Sequence, residues 1–139
     1  MILCDAGPLI AAAVDADPDH HACVELFTGL PLANRELLVP SVVVAEVAFM
    51  IQKYGSPEHE ALFVDSLADG DFIVADATPG DYRRAAELMR QYADFPLGVA
   101  DAIVLALAES PHIVEVATLD HRHFQNVRVR HADYLTLLP

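Results

Sequence analysis

Residues 37–55 read LLVPSVVVAEVAFMIQKYG, and the change of period inside this stretch decides the fold. LLVP is a short apolar strand. From Ser41 the apolar positions follow a helix, with Ser41 as its expected cap and Gly55 as its end. One residue stands out in the run VVVAEVAFMI, 42–51: Glu46 is the lone carboxylate among nine apolar side chains. An isolated buried carboxylate is costly unless it is paired, bound to a metal or protonated. Something is therefore expected to face Glu46.

The same alternation extends outward. MILC is a strand ending at Asp5, followed by a helix from Pro8 to about Ala16 and a second from Asp19 to about Thr28. Beyond Gly55, Ser56-Pro57 opens a helix to about Ala68, DFIVA is a strand, and Thr78-Pro79-Gly80-Asp81 is a capping box beginning a helix through Tyr92. DFPLG breaks the chain before a helix over 99–109. VEVATL is a strand, DHRHF a turn or short helix, VRV a last strand, and Asp133 to Leu138 a terminal helical stub. Strands separated by helices, with no repeat and no low-complexity linker, predict a three-layer α/β/α sandwich around a mainly parallel sheet. A length of 139 residues fits one domain over 1–139.

An apolar fraction of 54% and a mean hydropathy of +0.32 are high for this length, and suggest that a partner or a second copy covers part of the surface. A homodimer is the expectation. No apolar run reaches the roughly 18 residues of a membrane span, and MILCDAGPL lacks a basic leader region, which reads as a soluble, cytoplasmic chain with no membrane contact. Cys4 and Cys23 show no pairing signature and read as reduced packing thiols. With 21 Asp and Glu against 8 Lys and Arg, the net charge of −13 excludes gripping nucleic acid by broad phosphate neutralisation. Three routes stay open: no nucleic acid, cations bridging acids to phosphate at a small site, or a basic partner.

Glu46 is not alone. Asp5 ends MILC, Asp101 interrupts PLGVADAIVLALA and Asp120 follows VEVATL. In an open parallel sheet, functional groups collect beyond the carboxyl ends of the strands. Asp5 and Asp120 are placed there, Asp101 falls in a first helical turn and Glu46 about one turn into its helix, so all four can converge. None has a lysine or arginine beside it in sequence, which makes a divalent cation the economical counter-charge. Mg²⁺ and Mn²⁺ prefer hard oxygen ligands and suit phosphodiester chemistry. Taken singly, each acid could instead cap a helix or face water.

These residues carry a resemblance over nearly the whole chain. LCDAGPLIAAA with DPDHH behind it, PSVVVAEVAF, YADFPLGVADAIVLALAE and ATLDHRHFQNV are similar, in order and spacing, to the PIN-domain ribonucleases of the VapC toxin type. The resemblance implies a PIN-like fold and a metal-dependent endoribonuclease. It also implies an acidic pocket of Asp5, Glu46, Asp101 and Asp120 holding one or two Mg²⁺ or Mn²⁺ ions, an RNA substrate and a VapB-like antitoxin. Thr118 fills the threonine of the family's T-x-D turn. Ala6 departs from the pattern, since Ser or Thr often follows the first Asp. Asp94 resembles an acid before the PLG break and ranks below the four.

Other features have plainer readings. His20, His21 and Cys23 match no structural zinc spacing and mark a helix start. His121 and His123 flank Asp120 but read as solvated turn residues outside the site. Arg83 with Arg90, and Arg122 with Arg128 and Arg130, are either solvated faces or RNA phosphate contacts. Two other functions compete with the toxin: a PIN nuclease of RNA processing, and a non-catalytic acidic module binding metal or a basic peptide. A phosphoacceptor receiver is set aside, because it needs an adjacent acidic pair and a late lysine, whereas the only lysine is Lys53.

Overall fold

The computed structural model describes residues 1–139. Its strands are β1 (Ile2–Cys4), β2 (Leu37–Pro40), β3 (Ile73–Ala75), β4 (Glu115–Ala117) and β5 (Thr136–Leu138). All neighbours are parallel, in the order β3-β2-β1-β4-β5. Between them run α1 (Ala6–Ala13), α2 (His20–Leu32), α3 (Ser41–Tyr54), α4 (Pro57–Asp69), α5 (Pro79–Gln91), α6 (Val99–Glu109) and α7 (His121–Asn126). From β1 the chain steps outward to β3, then returns to lay β4 on the other side of β1. Right-handed crossovers then send α1 to α4 to one face and α5 with α6 to the other. The packing agrees: α1 rests on α2 and α3, α3 on α4, and α5 on α6. The expected α/β/α architecture with a parallel sheet is the one observed.

Burial explains the long apolar runs. Ile2, Leu3 and Cys4 are fully buried, as a central parallel strand covered on both faces must be. In α6 every residue from Ala102 to Ala108 is buried, the pattern of a helix wrapped by neighbours on all sides. In α3 only Val43, Val47 and Ile51, spaced by four, reach full burial. The Thr78–Asp81 capping box forms as expected, with Asp81 N donating to Thr78 Oγ1 at 3.2 Å and Thr78 N to Asp81 Oδ2 at 2.8 Å. A bidentate pair ties α5 to α6: Arg84 Nε and Nη2 donate to Glu109 Oε2 and Oε1 at 2.8 and 2.9 Å.

Several elements differ from the expectation. Ser41 is the first helical residue of α3 and not its cap. β2 runs into the helix without a linker, so Pro40 takes the cap position and supplies no side-chain bond. Helix α1 starts two residues early, at Ala6, and tolerates Pro8 because first-turn amides have no partner to lose. The largest correction is at the C-terminal end. VRV is not a strand: Val127 and Val129 are buried and Arg128 is exposed without any ladder. The expected helical stub over 133–138 is instead β5, paired in register Glu115↔Thr136 and Ala117↔Leu138. The free edge of β4 offers a row of unpaired amides and carbonyls, and filling it outweighs local helix preference.

Candidate active site

The strand order reverses between β1 and β4, and an open α/β sheet has its crevice at that point. The register Cys4↔Ala117 brings the two strand ends level. The next residues on each chain therefore meet: Asp5 on one side, Thr118 on the other. Thr118 is fully buried, and its hydroxyl donates to Asp5 Oδ2 at 3.0 Å while accepting from the Asp120 amide at 3.0 Å. Asp5 itself is 7% exposed.

Helices from opposite faces complete the cleft. Glu46 comes over from α3 and Asp101 from the first turn of α6, two helices that touch across the sheet end. Asp5, Glu46, Asp101 and Asp120 line one open cavity of about 440 Å³, together with Ala6, Gly7, Ile10 and the Gly98–Ala100 approach to α6. All four acids named from sequence are thus brought together. One premise changes: Glu46 is exposed, not buried. Its apolar neighbours Val43 and Val47 point into the core while Glu46 looks across the cleft. The acids form a depth series, with Asp5 buried, Asp101 and Asp120 half-buried, and Glu46 at the mouth.

The electrostatics are those of crowded like charges. Burial raises the Asp101 carboxyl to about 6, reinforced by Asp5 and Asp120. Burial also raises Asp5, opposed by the Ala6 amide and the Thr118 hydroxyl; Glu46, exposed as a residue, is raised by partial desolvation of its carboxyl against the cleft wall, with a push from Asp5. Neither Glu46 nor Asp101 is held down by a hydrogen bond from the chain. No lysine or arginine pairs with any of the four: the arginine ion pairs lie elsewhere, at Arg35–Glu115, Arg84–Glu109, Arg84–Glu87 and Arg130–Glu87. The Glu46 and Asp101 oxygens, with no hydrogen bond and no arginine or lysine, are donors suited to a hard divalent ion.

A fifth side chain belongs to the same cluster. His123 Nδ1 lies 2.7 Å from Asp120 Oδ2, and ligand atoms of Asp101, Asp120 and His123 all fall within 4.8 Å of one another. The reading of His123 as a solvated turn residue is corrected: α7 begins at His121, and an i to i+3 spacing from the cap residue Asp120 folds the ring back onto it. That spacing, once DHRHF is taken as a helix start, was the available signal. The remaining candidates stay apart from the cleft. His121, Asp94, Arg83, Arg90 and Arg128 are exposed. Arg130 is engaged by Glu87. Cys23 is buried while His21 is exposed, and the two do not form a metal cluster with His20.

The PIN-domain family model matches residues 2–129. The chain belongs to the PIN-domain family. Among its relatives, ribonuclease VapC26 of Mycobacterium tuberculosis (strain ATCC 25618 / H37Rv) is 29% identical over 138 residues, covering 99% of this chain and 100% of that protein. Among solved structures, Mycobacterium tuberculosis VapC20, described as a sarcin-ricin loop cleaving toxin, superposes with a TM-score of 0.78 at 14% identity, covering 87% of this chain and 91% of the other. VapBC2 from Rickettsia felis, bound to a DNA fragment from its promoter, gives 0.68 at 17% identity over 99% and 97%. At these identities the structural matches speak for the PIN fold, which they share with this chain along nearly its full length.

Proposed function

We propose that this PIN-domain protein is a divalent-metal-dependent endoribonuclease of the VapC toxin type, with Asp5, Glu46, Asp101 and Asp120 as its catalytic and metal-holding residues. The observation that carries this reading is the convergence of four carboxylates at the sheet's switch point with no lysine or arginine to neutralise them. One or two Mg²⁺ or Mn²⁺ ions bound there would supply the charge that polarises a phosphodiester and makes a water acidic enough to attack it.

The residues divide the work by depth. Asp5, locked by Thr118 and fully inside, is the rigid anchor. Asp101 and Glu46, free of internal hydrogen bonds, keep their oxygens available to a cation. Asp120 closes the set from the β4 side. No side chain in the cleft is placed as a covalent nucleophile. The open mouth beside Glu46 leaves room for an RNA backbone, and in a chain this acidic a cation held by Asp5, Glu46, Asp101 and Asp120 would supply the positive charge its phosphate needs, in place of a basic surface.

The partner is an antitoxin of the VapB kind, a reading supported by VapBC complexes among the structural neighbours. Exposed Phe49 and Tyr54 on α3 and Leu62 on α4 support further cover by a second copy. No helix is long and apolar enough to cross a membrane. Together with two free buried thiols, this supports a cytoplasmic site of action.

The test is end-mapping of total cellular RNA incubated with the purified protein. New ends should form with Mg²⁺ or Mn²⁺ and vanish with chelator or with Asp5→Asn. Ends that persist in chelator, or in Asp5→Asn, would overturn the assignment.

A further inference from the structure

We propose that His123 is a positioning residue for Asp120; this rests on the metal-site reading above. Both oxygens of Asp120 are held by this one residue. The His123 backbone amide donates to Oδ1 at 3.1 Å, and the ring Nδ1 lies 2.7 Å from Oδ2. A carboxylate held at both oxygens has one orientation, and its outward lone pairs have one direction.

The far side of the ring is held as well, which keeps the imidazole in place against Asp120. Nε2 lies 2.9 Å from the Pro96 carbonyl oxygen, in the loop that leads into α6 and its first-turn Asp101. One imidazole thus spans from the start of α7 to the approach of α6. A half-turn flip of the ring would put carbons where both nitrogens are and lose both contacts. The ring is also clamped by Phe95, stacked at 4.5 Å with a tilt of 30°, and Arg122 lies 4.8 Å from the centre of the same phenyl ring. A histidine exposed on a turn needs none of these restraints. They make sense where the direction of a carboxylate matters, as it does for a metal ligand, whose supporting hydrogen bonds are commonly worth about 10–100-fold in affinity.

The backbone bond to Oδ1 is kept in any non-proline variant, so α7 keeps its cap and the side chain's share can be isolated. Asparagine places a donor near the Nδ1 position and cannot reach Pro96. Glutamine reaches toward Pro96 and lacks the Nδ1 donor. The experiment is Mn²⁺ titration of the RNA-free protein by calorimetry, with circular dichroism melts alongside, on wild type, His123→Ala, His123→Asn, His123→Gln and Asp101→Asn. The expected result is a Mn²⁺ Kd weakened about 10–100-fold in His123→Ala and His123→Gln, and recovered to within a few-fold of wild type in His123→Asn. Wild-type affinity in His123→Ala, or no recovery in a folded His123→Asn, would overturn the proposal. If His123→Ala fails to fold, the contrast between Asn and Gln decides. Unchanged Mn²⁺ affinity in Asp101→Asn would overturn the metal site itself; weakened Asp101→Asn beside unchanged His123→Ala removes only the role of His123.

Discussion

Thr118 and Asp5, 113 residues apart in the chain, share a buried 3.0 Å hydrogen bond in which the threonine hydroxyl donates to the carboxylate. The same oxygen accepts the Asp120 amide, so one hydroxyl joins two of the four acids. Replacing it with a near-isosteric methyl strands both partners. Thr118→Val is expected to cost about 1–3 kcal/mol in urea denaturation and to reduce RNA cleavage about 10–100-fold. Thr118→Ser should restore both.

Metal-free protein should lose stability as pH rises through the site's titration range. Asp101 titrates near 6 in the fold against an ordinary value of 3.8, and Asp5 and Glu46 are shifted the same way. The folded state therefore holds protons that the unfolded chain has released, and this contribution is intact below about pH 4 and lost as pH passes 6. Glu109, lowered by Arg84 against its own burial, acts in the opposite sense and is lost as pH falls through the acid range. Melts in EDTA are expected to fall from pH 5 to pH 7.5, and Mn²⁺ should reverse that fall.

Asp101→Asn separates stability from function. Removing one of the clustered charges should raise the EDTA melting temperature at pH 7.5 by a few degrees, about 1 kcal/mol of relieved repulsion for a domain of this size. The same variant should cleave RNA at least about 100-fold more slowly and gain little from Mn²⁺. Paired melts with and without Mn²⁺ check it.

Gly7 packs against the turn that carries Asp120. A Cβ there would stand 3.3 Å from Leu119 Cβ, tighter than ordinary contact. Gly7→Ala should cost about 1–3 kcal/mol by overpacking and should lower cleavage further than the stability loss explains, because Leu119 sits between Thr118 and Asp120. Cleavage assays at a temperature where both forms are folded distinguish the two effects.

The Arg84–Glu109 pair, with side chains 15% and 9% exposed, is structural. Arg84→Met should destabilise by about 3 kcal/mol by leaving a buried carboxylate with only the Arg130 amide to satisfy it, and adding Glu109→Leu should recover much of it. Urea denaturation of the two variants and of wild type measures the difference.

The order of elements through β4 and the convergence of the four acids were legible because their signals are local and strong: apolar runs broken by single carboxylates, a capping box at Thr78, a glycine stop at Gly55. What the chain did not disclose depends on partners distant in sequence. β5 read as a helix since its ladder partner β4 lies some twenty residues earlier and only the empty sheet edge favours extension. Glu46 read as buried because composition gives the neighbourhood of a residue and not its angle on the helix; Val43 and Val47 take the inward direction and leave Glu46 outside. His123 was missed for a related reason. Its value comes from a ring aimed at Asp120 and Pro96, and no residue type announces its orientation.

Because the strand order reverses beside β1, the acids of the cleft arrive from four separate stretches of chain, the first at Asp5 and the last at Asp120. No fragment shorter than residues 5–120 contains the set, and no local element holds more than one member. With the proposed site, competence for cleavage becomes a report on completed topology: a chain still emerging from synthesis, or one whose β4 has not yet docked beside β1, carries the ingredients without the pocket.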